Sequence, residues 1–279
     1  MMPIQLNRQE VISRAELLPA FPRVVTDILA TLDDENATIG MLAHHVERDP
    51  VITARILSLA NGAAYARQGS AVKDVATAAS MIGIARLKEL VVSLSLAHFA
   101  KASRISSYFW EHSVAVGVAA QELSRQVAVS VESALVGGLL HDIGQLWMAK
   151  FHPLEFQQVR MAVSAGTIPI NDAERQYFGI DHCDIGRILA EHWGLPEAIV
   201  RGIYHHHDPE AGLDEPLVAV IHVAEVLANA LDLTQRDDNQ VAGISAGACH
   251  VLGIDWSQDL RPLFGRIEAR AEYACAVFR

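Results

Sequence analysis

The sequence predicts an all-α fold, and three observations carry that prediction. Apolar residues recur at steps of three and four, which is the spacing of one helix face. Start and stop signals punctuate the chain at helical lengths. No stretch alternates apolar and polar residues convincingly enough to make a half-buried strand. Of the 279 residues, 51% are hydrophobic and 20% charged, so the chain can form one large or two modest cores and is not disordered.

The elements follow in order. "FPRVVTDILATL" places Pro22 in a first helical turn, and "NATIGMLAHHV" offers Thr38 as an N-cap. In "RDPVITARILSLANG", Asp49 caps, Pro50 takes the first helical position and Asn61-Gly62 stops the helix. Gly83 separates a short helix from a long one over roughly residues 84–100. "KASRISS" (101–107) is a polar break, and "LDLTQRDDNQ" (231–240) reads as a polar, acidic linker. Three segments result: an N-terminal helical lobe over 1–104 packed on a second helical lobe over 105–232, and a C-terminal helical extension over 233–279. No internal repeat or low-complexity segment is evident.

Charge and cysteine use exclude several functions. The formal net charge of −11 argues against non-specific binding to nucleic acid or to an anionic membrane, which require a basic footprint. Cys183, Cys249 and Cys275 are odd in number and lack CxxC spacing, so they read as reduced thiols in a cytoplasmic protein. The opening "MMPIQLNRQE" is too polar for a signal peptide, and residues 87–100 are too short to span a bilayer.

The chemistry-bearing residues come from placing the 13 histidines on their helices. Phe109, His112, Val116, Ala119 and Leu123 form one stripe, so His112 points inward. In "GGLLHDIGQL" (137–146), the stripe of Leu135, Leu139, Ile143, Leu146 and Trp147 leaves His141 off it and Asp142 at its margin. Gly137 and Gly138 would let another element approach closely. In "DHCDIGRILAEHWGLP", Asp181 is a cap, and His182 shares a face with Ile185, Leu189 and Trp193. Cys183 would point elsewhere. Pro196 opens the next helix, where Ile199, Ile203 and His206 share a face. Glu225 sits beside Ala224 and Ala228 on an amphipathic helix. A lone inward histidine is ordinarily a satisfied core residue. Several together, each costing about 1–3 kcal/mol if left unpaired, are better explained by a metal that uses their lone pairs.

These residues resemble a known family. The order His112, His141-Asp142, then a later carboxylate, is similar to the metal-dependent phosphohydrolases of the HD superfamily. "LLPAFPRVVTDIL", "VERDPVITARILSLANGAAY", "VATAASMIGIARLKELVVSLSL" and "HWGLPEAIVRGIYHHHDP" resemble HDOD domains, the HD-related output domains of bacterial signalling, over roughly residues 12–230. The resemblance implies an all-helical fold and a regulatory role. It also implies a ligand set of His112, His141, Asp142 and Glu225, with His182, His206 and His207 matching three further ligands of the related HD-GYP enzymes. Departures are Tyr108 where those enzymes often carry Glu, Gln145 for the Lys after "HDIG", and Glu225 for the final Asp. "HHHDPEAGLDEP" also lacks the DGxGYP continuation, which argues against cyclic-di-GMP as substrate.

Three functions are compatible with this pattern. One is a signalling module that keeps a metal site (Fe, Mn, Ni, Co or Zn) without turnover and works through a separate signalling protein. The second is a phosphohydrolase in which Asp142, the candidate catalytic residue, bridges two ions; His112, His141 and Glu225 hold one ion and His182, His206 and His207 the other, and an activated water attacks a phosphoester in line. The third is a metal-free interaction scaffold. His44 and His45 read as a solvated helix end and His205 as the exposed neighbour of the pair beside it, although a shift of one residue would exchange it with His207. His98, His152, His192 and His250 join no constellation, and His222, three residues before Glu225, is a candidate supporting group.

Overall fold

A computed structural model describes residues 4–30, 38–62, 72–102, 107–166, 168–234 and 243–278. All regular elements among these residues are helices. The chain divides into two compact units, one of Ala20–Ala102 and one of Met1–Pro19 together with Ser103–Arg279. The described residues 4–19 and 243–278 belong to the same unit as the candidate site.

Helix α1 (Arg8–Ala15) belongs to the larger unit. The smaller unit consists of α2 (Arg23–Ala30), α3 (Ile39–Glu47), α4 (Pro50–Ala60), α5 (Val75–Ile82) and α6 (Ile84–Ala102). Its helix ends follow the local signals. Thr38 Oγ1 accepts the Met41 N–H and Asp49 Oδ1 the Ile52 N–H, each satisfying a donor that a helix start leaves unpaired. Gly83, with φ of 89°, turns the chain between α5 and α6 in a conformation costly for other residues. His44 is exposed, but His45 is half-buried and lies 2.9 Å from Asp27 of α2, so only the first of the pair is a solvated helix end. The 101–107 break lies partly outside the described residues, as does the 231–240 linker.

The larger unit continues with α7 (Ser107–Ser124), α8 (Val131–Leu140), α9 (Ile143–Phe151), α10 (Pro153–Ser164), α11 (Ile170–Phe178), α12 (His182–His192), α13 (Glu197–His205), a 3-10 turn (Pro209–Ala211), α14 (Pro216–Ala230), α15 (Ala246–Val251) and α16 (Arg261–Phe278). Helix α7 packs against α8, α14 and α16, which is why it is buried from Trp110 to Ser124 apart from the partly exposed Glu111. A single inward stripe therefore understates it. Helix α14 is likewise buried continuously from Leu217 to Ala228. Such all-round apolar helices are central helices of a bundle. Helix α16 is held to α7 by Arg266 and Arg270, which reach the buried carboxylate of Glu122. No helix among the described residues is long and apolar enough to cross a membrane.

Two glycine contacts set the distances that matter. A Cβ on Gly138 of α8 would stand 2.7 Å from Gly117 Cα of α7, so the two helices meet backbone to backbone. A Cβ on Gly144 of α9 would stand 2.0 Å from the carbonyl oxygen of His182. The glycine after "HDI" thus lets α9 lie against the first turn of α12.

Candidate metal centre

"GGLLHDIGQL" is not one helix. Helix α8 ends at Leu140 and α9 begins at Ile143, leaving His141 and Asp142 at the break. This corrects the continuous-helix reading, in which His141 falls off the buried face. Asp142 sits at φ −99°, ψ 15°, the sparsely populated bridge region that many active-site residues occupy. The break re-aims both side chains inward: His141 is fully buried and Asp142 is 6% exposed.

Asp142 is the hub. Its Oδ2 lies 3.4 Å from His141 Nε2 and 4.0 Å from His112 Nε2. Its Oδ1 lies 3.4 Å from His182 Nε2 and 3.7 Å from His206 Nε2. The two Nε2 atoms of His182 and His206 are 3.4 Å apart. A cation with bonds of about 2.1 Å in tetrahedral array spaces its ligand atoms about 3.4 Å apart, so this triangle fits one ion. His207 groups with Asp142, His182 and His206, its Nε2 lying 3.9 Å from Glu225 Oε1, while Glu225 groups with His141 and His206. All seven residues singled out in the sequence therefore converge, with the ligand atoms of each group within 4.8 Å of one another.

The rings are presented by the backbone. His141 Nδ1–H donates to Gly138 O at 2.8 Å and His206 Nδ1–H to Ile203 O at 2.7 Å. A carbonyl only accepts, so these bonds put a proton on Nδ1 and make Nε2 the ring nitrogen turned toward Asp142. The buried Nε2 atoms of His141 and His207 have no hydrogen-bond partner. Orphaned acceptors converging on a carboxylate are what a donor set for a cation looks like, and the residues fit a divalent metal of the imidazole and carboxylate class.

Glu174 was missed in the sequence. This fully buried carboxylate, from α11, accepts both the His182 backbone N–H at 2.8 Å and His182 Nδ1–H at 2.6 Å. The result is the carboxylate–histidine pairing that fixes ring orientation in metal sites. A lone Glu eight residues before His182 gives no periodic signal, because the pair closes only across the turn at Gly179. Cys183 does not point elsewhere: its Sγ lies 3.6 Å from His182 Nε2 and 3.8 Å from His206 Nδ1. The reason is that His182 and Cys183 open the first turn of α12, which is enclosed on both sides. His222 Nδ1–H donates to the His206 carbonyl at 2.7 Å. Gln145, in the place of the expected Lys, donates to Asp142 Oδ1 at 3.0 Å. His205 is half-buried outside the cluster, and the side chain of Tyr108 lies outside the described residues.

The electrostatics match the packing. Burial pushes the Asp142 carboxyl up, but the imidazoles of His141, His206 and His182 override it and hold it well below the usual carboxylate range. Burial opposes the charged forms of His182 and His206 as well. The sulfur of Cys183, with Glu174 for His182 and Asp142 for His206, nonetheless holds both well above the ordinary histidine value. His207 goes the other way: burial and then its neighbours His206 and His182 hold it well below.

Comparison with known proteins adds the lineage. The family model described as HDOD domain matches residues 18–209. An HDOD domain protein of unknown function from Geobacter sulfurreducens has a similar structure, with a TM-score of 0.75 at 25% identity over 97% of this chain and 95% of that one. A protein of Marinobacter aquaeolei VT8, named provisionally as a signal transduction protein, matches with a TM-score of 0.70 at 25% identity, over 99% of this chain and 62% of that one. A Treponema pallidum protein described as uncharacterized is 20% identical over 227 residues, 80% of this chain; the chain spans 44% of that relative.

Proposed function

The chain belongs to the HDOD domain family, and from that premise we propose that it is a bacterial signalling module that binds divalent metal through a partly retained HD site and acts by regulation, not turnover. The observation that carries the reading is the hub geometry. One buried carboxylate turns each oxygen to a different pair of imidazoles, with unpartnered Nε2 atoms on both sides. Leaving such groups unpaired costs about 1–3 kcal/mol each. A bound divalent metal would supply the Lewis acidity on which phosphoester chemistry depends. Asp142 would be common to both sides of the site, with His112 and His141 on one and His182, His206 and His207 on the other, and Glu225 lies near both His141 and His206.

Two features favour binding over hydrolysis. The donors are buried, and solvent is met chiefly beside His207, whose side chain is 23% exposed against 8% for Asp142. Gln145 is neutral, so it holds Asp142 in place without the charge that would stabilise a phosphoryl transition state. The name of the Marinobacter relative agrees with a signalling role. A separate cytoplasmic signalling protein is the partner this reading implies. Hydrolysis is the second reading, and the convergence of all seven candidate donors favours it.

The test is elemental analysis of tag-free protein beside His141→Ala, followed by a phosphoester screen. One or two equivalents of metal in the native protein, lost in the variant, with no turnover, is the expected result. Turnover would move the protein to the second reading. A native protein that takes up none of Fe, Mn, Ni, Co or Zn would refute the metal centre altogether.

A further inference from the structure

The metal centre has a support that connects it to the C-terminal segment. His206 is the residue that caps the end of α13, and His207 follows it directly. Their backbone is held from behind by His222 of α14, whose Nδ1–H donates to the His206 carbonyl at 2.7 Å. The other ring nitrogen, Nε2, accepts the Ser245 backbone N–H at 3.0 Å. A carbonyl can only accept and an amide N–H can only donate, so the two partners assign a neutral ring with its proton on Nδ1. His222 is 5% exposed and both nitrogens are used, which leaves no spare valence for a metal.

Ser245 is itself tied down twice. It is the N-cap of α15, with Oγ accepting the Ala248 N–H at 2.8 Å and donating to Glu210 Oε1 at 2.6 Å. Glu210 lies in the turn just after His206-His207. Gly247 packs against the same carboxylate, a Cβ there lying 2.6 Å from Glu210 Oε2. The start of α15 therefore grips both ends of the segment 206–210 that carries two of the donors.

The geometry points to His222 as a positioning residue through which metal occupancy and the docking of α15 are coupled. Resting on the metal reading above, it makes the C-terminal segment the part of the molecule that reports, or is used to control, the state of the centre. Coupling is reciprocal: if bound metal firms the 206–210 segment and with it α15, a partner that pulls α15 away weakens metal binding by the same factor. Groups that hold metal ligands in place from outside the donor set are typically worth about 10–100-fold in affinity.

The test uses the full chain, stripped of metal and titrated with Co(II), whose visible spectrum reads occupancy. Amide exchange of residues 245–252 is followed by mass spectrometry in parallel. Expected are slower exchange in that segment on Co(II) saturation, and in His222→Phe about tenfold weaker Co(II) binding with the protection lost. Should His222→Phe fail to fold, Ser245→Pro and Ser245→Ala carry the same test. Ser245 has φ −71°, which suits proline; Ala deletes the hydroxyl alone, whereas Pro deletes the hydroxyl and also the N–H given to His222, so the difference between them isolates that N–H. Weaker Co(II) binding in the Pro variant than in the Ala variant supports the coupling. Tight Co(II) binding with unchanged exchange in 245–252, or Pro and Ala variants of equal affinity, overturns it. If the native chain binds no Co(II), the metal reading fails, and this inference with it.

Discussion

Gly144→Ala tests the packing that builds the centre. A Cβ at this position would stand 2.0 Å from the His182 carbonyl oxygen and 2.8 Å from its Cα, so the obstacle is backbone and not the end of a flexible side chain. Ordinary contact begins at 3.4 Å, so α9 and α12 must separate by about 1.4 Å, an overpacking that costs about 1–3 kcal/mol. Asp142 precedes Gly144 by two residues and rides on the same element. The gap from its Oδ1 to His182 Nε2, now 3.4 Å, then opens past what one ion can bridge. The variant is therefore expected to lose about 3–10 °C in Tm by calorimetry, and to lose metal from the Oδ1 side by elemental analysis. A Gly144→Ala protein with native Tm and native metal content would refute the argument that this glycine sets the donor distances.

Further outcomes follow from the same geometry. Glu174→Ala leaves His182 Nδ1–H and its backbone N–H without their acceptor; metal affinity should fall about 10–100-fold by calorimetric titration, with the loss confined to one equivalent. His112→Ala and His207→Ala remove donors on opposite sides of Asp142, so each should retain one equivalent of metal, whereas Asp142→Ala retains neither. In the metal-free protein, the raised values of His182 and His206 give stability that is fully present below the ordinary histidine range and is lost as pH rises through the raised values. The depressed Asp142 contributes stability above the ordinary carboxylate range that is lost as pH falls through its lowered value. Metal binding must displace the imidazole protons, so metal affinity rises with pH over the range where the metal-free protein loses stability, and titration in buffers of different ionisation enthalpy should show proton release.

The residue-by-residue comparison shows which signals are local. Thr38, Asp49 and Asp181 are legible as caps because a cap needs only its own first turn; Asp181 forms a capping box with Asp184. His112, His182, His206 and Glu225 are legible because a position on a helix stripe follows from spacing alone. Cys183 was misjudged because spacing reports one helix at a time, and α12 is enclosed from two directions at its start. Glu174 was invisible because its partner lies across a turn. His222 was legible only as a neighbour of Glu225, although its bonds run to the His206 carbonyl and to Ser245.

Helical periodicity by itself determined the all-helical class and put His112, His182, His206 and Glu225 forward, because it depends on residues within a few turns of one another; the HDOD lineage and the candidacy of His141, Asp142 and His207 came from the resemblance of motifs. The tertiary structure alone decided that α8 and α9 break at His141-Asp142, that the two oxygens of Asp142 face different imidazole sets, that Glu174 holds the His182 ring, and that His222 holds the His206 backbone. These are contacts between separate helices. They depend on the close approaches at Gly117–Gly138 and Gly144–His182, where the absence of a side chain shows in the sequence but the helix that fills the space does not.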